Sequence, residues 1–294
     1  MTAIIEKGYG KINLALAITG RRRDGYHNID TVFQSIALCD RIHIAESEDF
    51  SLTCSVKTLA CDETNLAYRA WQALCPYRKD KQNVTIEIEK KIPIAAGLAG
   101  GSTDCAAVLR GLNRLWQLHL SLDELCRIGA TLGADVPFCL HGGTMRGKGI
   151  GEELQALPPL PAWPVVIVHP HAAVQTKKAY ALFDTQPLSL PIDVGATEKA
   201  VRRQDFAALE KSLANTFEDL VIPDLPVVAE YKERLQSLGL QPLMTGSGPT
   251  LFALVPPARL TEISQAVQAW TAVDVYLTTL VKEEPAHESY EKNA

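Results

Sequence analysis

The sequence has no excess of positive charge. Its 294 residues carry 29 lysines and arginines against 34 aspartates and glutamates, which gives a formal net charge of −5. Such a chain is a poor candidate for non-specific nucleic-acid binding, because that binding depends on neutralising phosphates with lysine and arginine. We therefore expect a small-molecule partner and no nucleic acid, with any anion bound where hydrogen-bond donors are concentrated locally.

Closely spaced cysteine pairs and long apolar runs are also missing. None of the seven cysteines has a partner at C-x-x-C spacing, so we expect free thiols, mostly packed as small hydrophobic side chains, and no zinc site. The apolar stretch 12–18 is too short to span a bilayer, and no cleavage site of the A-x-A kind accompanies it. These features predict a cytoplasmic protein that does not enter a membrane.

Two common nucleotide-binding signatures are absent. The stretch GGTMRGKG (142–149) fits G-x-x-x-x-G-K, but Gly149 stands where a P-loop needs a hydroxyl. We predict a loop or hairpin there. No G-x-G-x-x-G motif opens a helix after a strand, which argues against a Rossmann dinucleotide site.

The hydrophobic pattern predicts an α+β chain with two domains, 1–157 and 158–294, joined at the proline-rich segment 158–161. In the first domain, it predicts strands at 12–18, 32–38, 42–44 and 84–88, and helices at 69–74, 105–116 and 122–132. Ser121 and Glu124 form a capping-box pattern for the last of these helices, and Gly133 ends it. In the second domain, strands at 165–168, 250–255 and 273–281 alternate with helices at 177–183, within 198–238 and at 260–270, which suggests a two-layer plait.

The segment PIAAGLAGGSTD (93–104) is the most informative stretch. A strand leads into three glycines and two hydroxyls, and a helix follows. Backbone N–H groups of such a loop, together with the start of the next helix, cradle phosphates. Lys90 and Lys91 add positive charge nearby, and we predict a nucleotide-phosphate site, the alternative being a plain glycine-rich turn. The predicted lining is Pro93, Ile94, Ala95, Ala96, Gly97, Leu98, Ala99, Gly100, Gly101, Ser102 and Thr103.

Polar residues near the N-terminus form two further candidate clusters. Lys11 and Asn13 are two apart on a predicted strand, so both project from one face, where they could hold a substrate or simply meet solvent. Tyr26 and His27 follow three arginines in a turn, where they could stack on a base and hydrogen-bond to its edge. The alternative for Tyr26 and His27 is a basic hairpin loop with solvated arginines.

Asp135 and a second glycine loop complete the candidates. Asp135 lies just past a predicted helix, in the tight apolar segment LGADVPF, which could hold and desolvate a general base. The alternative is an aspartate that caps a turn. The segment LMTGSGPTL (243–251) is either an anion-binding loop or a tight turn.

Taken together, these segments resemble the GHMP kinase superfamily. Its three motifs match GKINL (10–14), PIAAGLAGGST (93–103) and TGSGPTLFAL (245–254). The segments ITGRRRDGYHNIDTVFQSI (18–36) and LGADVPF (132–138) resemble those members whose substrate is a methylerythritol joined to cytidine diphosphate. The resemblance implies an N-terminal domain of a ribosomal-protein type that binds ATP and carries the catalytic residues. It also implies a C-terminal ferredoxin-like plait domain that binds substrate.

The resemblance also implies roles for single residues. Asp135 would be the general base for the C2 hydroxyl of the methylerythritol unit, and Lys11 would keep it ionised. ATP and Mg²⁺ would be the cofactors, with Ser102 or Thr103 as a contact for the metal ion. The implied substrate-binding residues are Asn13, Tyr26, His27, Tyr180, Phe183, Thr245, Gly246, Ser247 and Gly248.

Two rival functions stay open on the sequence. Another GHMP kinase of the homoserine or mevalonate type would keep the fold and ATP but change the acceptor. An RNA-binding domain would use the basic turn at 21–23, although no second basic patch accompanies it. We expect a monomer or a weak homodimer.

Overall fold

The computed structural model describes residues 2–79, 82–185 and 191–282. The strands in these residues are β1 (Ala3–Arg21), β2 (His27–Ser47), β3 (Ser51–Cys54), β4 (Asn83–Glu89), β5 (Thr144–Lys148), β6 (Glu153–Ala156), β7 (Pro164–His169), β8 (Ala214–Asn215), β9 (Leu243–Met244), β10 (Leu251–Leu254) and β11 (Asp274–Thr279). The α-helices are α1 (Leu66–Leu74), α2 (Gly100–Leu115), α3 (Leu122–Leu132), α4 (Val136–His141), α5 (Thr176–Phe183), α6 (Val194–Arg203), α7 (Phe206–Ser212), α8 (Thr216–Val221), α9 (Pro226–Ser237) and α10 (Leu260–Gln268).

The two longest strands form one antiparallel hairpin. β1 and β2 pair from Ala3 opposite Ala45 to Arg21 opposite His27, so the prediction of separate strands at 32–38 and 42–44 is wrong. Alternating burial continues through Ile42 and Ile44, which keeps the second half of β2 on the same sheet. The register shifts on either side of Lys11–Asn13, and such bulges turn side chains away from regular alternation.

The first sheet contains seven strands of the described chain. Its main order is β3-β4-β2-β1-β8, and the hairpin of β5 and β6 joins through β2, which confirms the loop-or-hairpin prediction for 142–149. Helix α2 buries Val108, Leu109 and Leu112 against this sheet. Helix α3 has the predicted capping box between Ser121 and Glu124, so its start is fixed as the sequence suggested.

The second sheet has the order β11-β7-β10-β9, with all neighbours antiparallel. Counted along the chain, this is the order fourth, first, third, second of a ferredoxin-like plait. Its central strand β7 is buried throughout, and helices α9 and α10 cover one face through Val228, Leu235 and Ile263. The predicted two-layer plait is therefore correct.

Strand β1 links the two sheets. Ile12 and Leu14 belong to the same buried cluster as Ile167 and Phe252 of the second sheet, and Ala15 pairs in parallel with Ala214 of β8. The division at residue 157 stays a prediction. This arrangement places Lys11 and Asn13, which flank Ile12, at the junction of the two sheets.

The structure bears on the cysteine and membrane expectations. All seven cysteines are free thiols, but only Cys105 and Cys139 are buried and the other five are half-buried. Cys54, Cys61 and Cys126 pack against the same core that contains Cys105 and Cys139, so the prediction of mostly packed thiols is correct. None of the helices in the described ranges is both long and apolar enough to cross a membrane.

Candidate active site

Lys11 and Asn13 are buried, so the alternative of a solvated strand face is wrong. The Lys11 ammonium donates to Asn13 Oδ1 at 2.8 Å and lies 3.9 Å from Asp135 Oδ2. The backbone N–H of Lys11 donates to the carbonyl of Leu98 in the glycine loop at 3.1 Å. One strand segment therefore contacts both the carboxylate of Asp135 and the predicted phosphate loop.

Asp135 is more open than its apolar surroundings suggested. It stands at the N-cap of α4, yet its side chain makes no capping hydrogen bond, and about a third of that side chain (34%) is exposed. The segment therefore shields Asp135 from solvent in part, and the alternative of a turn cap is wrong. The carboxylate is left accessible to a substrate, with a buried lysine beside it.

The glycine loop is shaped by residues in left-handed backbone conformation. Gly97 has φ +76°, and two alanines share this region, Ala95 at +55° and Ala99 at +58°. No side chain caps the start of α2, so its first N–H groups are available to an anion. Thr103 is buried and donates to the Gly100 carbonyl at 2.8 Å, which leaves Ser102, half-buried at the helix start, as the better placed hydroxyl.

Lys90 does not supply a spare charge to this loop. Its ammonium is buried between Asp40 and Asp104, 2.8 Å from Asp104 Oδ2, and the exposed Lys91 pairs with Glu89. Asp40 Oδ1 also accepts the backbone N–H groups of Lys91 and Ile92. The positive charge predicted near the loop is therefore paired with carboxylates, and Lys90 instead ties the entry of the loop to Asp104 of α2.

The charges in this cluster perturb one another. Burial raises the pKa of Asp104 to about 8, against the opposing effect of the Lys90 ammonium. Burial alone would disfavour the charged form of Lys90, but the carboxylates of Asp104 and Asp40 outweigh it and raise the lysine pKa. Two carboxyl groups thus share one ammonium in a desolvated place.

The second glycine loop closes over the first strand. The Asn13 backbone N–H donates to Thr245 Oγ1 at 3.1 Å, and the Gly246 N–H donates to Asn13 Oδ1 at 3.1 Å. A Cβ at Gly97 would lie 2.5 Å from the Thr245 carbonyl oxygen and 3.2 Å from that of Gly248. The two glycine loops therefore pack against each other so closely that a side chain at Gly97 would displace one of them.

Tyr26 and His27 have very different surroundings. Tyr26 is 61% exposed, whereas His27 is buried beneath α5, where its ring stacks on Tyr180 at 4.8 Å between centroids. Phe183 meets the same ring edge-on at 5.6 Å, and Asp184 Oδ1 lies 2.7 Å from His27 Nε2. His27, Tyr180 and Phe183 thus form one aromatic cluster, to which Asp184 is hydrogen-bonded, and Tyr26 lies outside it.

Comparison with known proteins decides the family. Residues 65–143 match the GHMP kinases N terminal domain, and residues 197–272 match the GHMP kinases C terminal domain. A 4-diphosphocytidyl-2-C-methyl-D-erythritol kinase of Exiguobacterium sibiricum is 45% identical over 255 residues, covering 85% of this chain and 88% of that protein. The kinase of the same name from Moorella thermoacetica is 44% identical over 259 residues, covering 86% and 90%.

The chain belongs to the 4-diphosphocytidyl-2-C-methyl-D-erythritol kinase family. A crystal structure of 4-(cytidine 5'-diphospho)-2C-methyl-D-erythritol kinase agrees, with a TM-score of 0.78 at 33% identity over 94% of this chain and 98% of that one. A homoserine kinase from Cytophaga hutchinsonii has a TM-score of 0.73 at 21% identity. At that identity the homoserine kinase shares the fold alone.

Sequence reasoning missed one wall of the site in this kinase. A pocket of about 230 Å³ opens beside Pro93 and Gly101 of the glycine loop, and its far wall comes from the segment before α1. Asn65 there accepts the Ala67 N–H and caps the helix. The sequence offered only a polar stretch at 62–65 as a signal. The wall residues are Leu59, Ala60, Thr64, Asn65 and Leu66.

Proposed function

We propose that this chain is the ATP-dependent kinase that phosphorylates the C2 hydroxyl of 4-diphosphocytidyl-2-C-methyl-D-erythritol, a step in the non-mevalonate synthesis of isoprenoid precursors. The observation that carries the proposal is the accessible Asp135 carboxylate, 3.9 Å from the buried Lys11 ammonium and next to the glycine loop. The identity to kinases of that name supports the choice of substrate.

The loop 93–103 and the start of α2 would hold the ATP phosphates through backbone N–H groups. The pocket of about 230 Å³ beside the loop would take the nucleoside, since Leu59, Leu66 and Ile94 give it apolar walls and Asn65 a polar one. ATP would then be bound mainly by residues 1–157, as predicted from the sequence, and the acceptor substrate would also contact residues of 158–294.

Asp135 would accept the proton of the substrate hydroxyl as the hydroxyl oxygen bonds to the γ-phosphorus of ATP and the bond from that phosphorus to the leaving ADP breaks. Lys11 would keep that carboxylate ionised and offset negative charge that develops on the transferred group, because its ammonium is buried and its position is fixed by Asn13. In such reactions the protein mainly positions groups and neutralises charge. Thr245, Gly246, Ser247 and Gly248 would border the phosphates of the acceptor.

Mg²⁺ fits this site as a partner of the nucleotide. Among the described residues no group of three or more histidine, cysteine, aspartate or glutamate side chains could hold a metal ion by itself. Magnesium is commonly held by one or two protein oxygens together with substrate phosphates, and the Ser102 hydroxyl is the oxygen best placed for this. When bound, the ion would neutralise phosphate charge.

At the other end of the substrate, Tyr26, His27, Tyr180 and Phe183 would bind the cytosine. Tyr26 is exposed and free to stack on a base, while the other three already form a packed wall. The RNA-binding alternative loses support, since Arg21 pairs with Asp184 and Arg22 with Asp24. We further propose a cytoplasmic monomer or weak homodimer without a nucleic-acid partner.

A panel of alcohols tests the substrate assignment. ADP release should depend on the cytidylyl substrate and should stay at background with homoserine or mevalonate. Turnover of homoserine or mevalonate instead would move the chain to another acceptor within the superfamily. Tight RNA binding at physiological salt without any phosphate transfer would refute a kinase altogether.

A further inference from the structure

His27 is held by three neighbouring residues at the end of α5. Its ring lies at 16° to the plane of Tyr180, meets Phe183 at 87°, and places Nε2 2.7 Å from Asp184 Oδ1. The His27 side chain is only 5% exposed. Because the two aromatic contacts hold the plane of the ring and the hydrogen bond selects which ring edge faces Asp184, the orientation of the imidazole is defined.

The hydrogen bond to Asp184 also fixes where the imidazole proton resides. An ionised carboxylate only accepts hydrogen bonds, so Nε2 must carry the hydrogen. A neutral imidazole has a single N–H, which leaves Nδ1 as an acceptor. Within the described parts of the chain Nδ1 has no hydrogen-bond partner, and it is not among the fully buried polar atoms that lack one.

We propose that Asp184 is a positioning residue that makes His27 select cytosine over uracil. The inference rests on the proposed function, in which His27 meets the base edge. Cytosine carries an exocyclic amino group, a donor, where uracil carries a carbonyl, an acceptor. A lone pair fixed at Nδ1 accepts a hydrogen bond from the amino group but opposes the carbonyl oxygen.

Other charged groups near Asp184 do not replace this role. Arg21 is its second partner, 3.3 Å away, but the Arg21 side chain is 62% exposed. Arg21 pairs with Oδ2 of the carboxylate, whereas His27 bonds to Oδ1. Asp184→Asn should remove the restraint, because an amide can either accept from Nε2 or donate to it, so the imidazole proton can move to Nδ1.

The test measures kcat/KM for the cytidylyl substrate and for its uridylyl analogue. The assay is run at pH 8, above the range in which histidines usually gain a proton. In the unmodified kinase we expect a preference for cytosine, and in Asp184→Asn a loss of that preference on the order of 10-fold, the size of one mismatched hydrogen bond.

The change should appear in KM for the nucleotidyl substrate, with kcat and KM for ATP nearly constant. Arg21→Met is the matched control and should keep the preference.

Repeating the Asp184→Asn substitution in a His27→Gln variant shows whether Asp184 acts through the His27 tautomer or only supports the fold. In His27→Gln the side chain carries both a donor and an acceptor, so Asp184→Asn should no longer change the preference there. Nitrogen NMR of histidine-labelled protein should show a protonated Nε2 at His27, identified by the signal lost in His27→Gln. That proton should be redistributed in Asp184→Asn.

The outcomes distinguish the inference from the proposed function. If the unmodified chain phosphorylates neither nucleotidyl substrate, the proposed function is wrong. If it phosphorylates the cytidylyl substrate but Asp184→Asn keeps the preference, or if Nδ1 carries the proton in the unmodified chain, the role of Asp184 is wrong and the function stands.

Discussion

Two lysine and aspartate clusters flank the glycine loop, and they differ in almost every physical respect. Lys11 and Asp135 stand 3.9 Å apart, and the carboxylate is partly exposed and makes no capping bond. Lys90 lies between Asp40 and Asp104 in a site where all three side chains are nearly inaccessible. In the open pair, Lys11 and Asp135, the carboxylate is accessible to a substrate. In the closed cluster, Lys90, Asp40 and Asp104, the charges pair with one another and hold the loop in place.

The difference shows that proximity to a phosphate loop does not identify a phosphate-binding lysine. Lys90 is adjacent to the loop in sequence, yet its ammonium is engaged by two carboxylates. Lys11 is more than eighty positions from the loop, yet its backbone bonds to Leu98 and its side chain faces Asp135. A lysine's role in this kinase depends on which carboxylates surround it.

The largest expected effect comes from the open pair. Asp135→Asn should lower kcat by about 10²–10⁴, the usual contribution of a general base, while ATP affinity and the melting temperature change little. The exposed Asp123→Asn in α3 serves as the control. If Asp135→Asn lowered the melting temperature as well as the activity, the carboxylate would support the fold. Asp135 would then resemble the carboxylates of the closed cluster, against this account.

Substitution in the closed cluster should lower the stability of the fold. Asp40→Ala would leave the Lys90 ammonium buried and deprive two backbone N–H groups of their acceptor. Breaking a buried pair in this way costs about 3–5 kcal/mol. Urea denaturation measures the free energy of unfolding, and Glu230→Ala, which removes an exposed partner of Arg234, should cost less than about 1 kcal/mol. Equal costs for the two variants would contradict a structural role for Asp40.

The closed cluster should also make the stability of the fold depend on pH. A carboxyl group with a raised pKa stabilises the folded state fully below its unfolded pKa of about 4. That contribution is lost as the pH rises to the folded value of about 8. The free energy of unfolding should therefore decrease between these limits through Asp104, and Asp104→Asn should remove that part of the decrease.

Asp193→Asn, which keeps the cap of α6, is the control for this slope. An unchanged slope in Asp104→Asn would show that Asp104 is ionised throughout. The closed cluster would then carry a net negative charge next to the glycine loop.

Local signals predicted much of the fold. The capping box at Ser121 and Glu124, the strand at 84–88 and the plait of the second half follow from spacing and periodicity. The joining of β2 into one strand of 21 residues did not, because the pairing with β1 and β4 that sustains it is a tertiary effect. The short helix α4 was not predicted, because its six residues are too few to show helical periodicity.

Sequence motifs predicted only those site residues whose side-chain type and local spacing point to a chemical role. The glycine loop, Lys11 and Asp135 came from motifs, and their roles came from the resemblance. The pairing of His27 with Asp184 spans 157 positions and that of Lys90 with Asp40 spans 50, so no local pattern contains them. The pocket wall at 59–66 was missed because its backbone and apolar side chains carry no distinctive motif.

The most direct test of the account is phosphorus NMR of the product made from ATP and the cytidylyl substrate. We expect ADP and one new phosphomonoester signal, coupled to the methyl-bearing carbon of the erythritol, while the diphosphate bridge stays intact. Release of inorganic phosphate alone, or a phosphate attached to a different hydroxyl, would contradict the proposal that Asp135 faces the C2 hydroxyl.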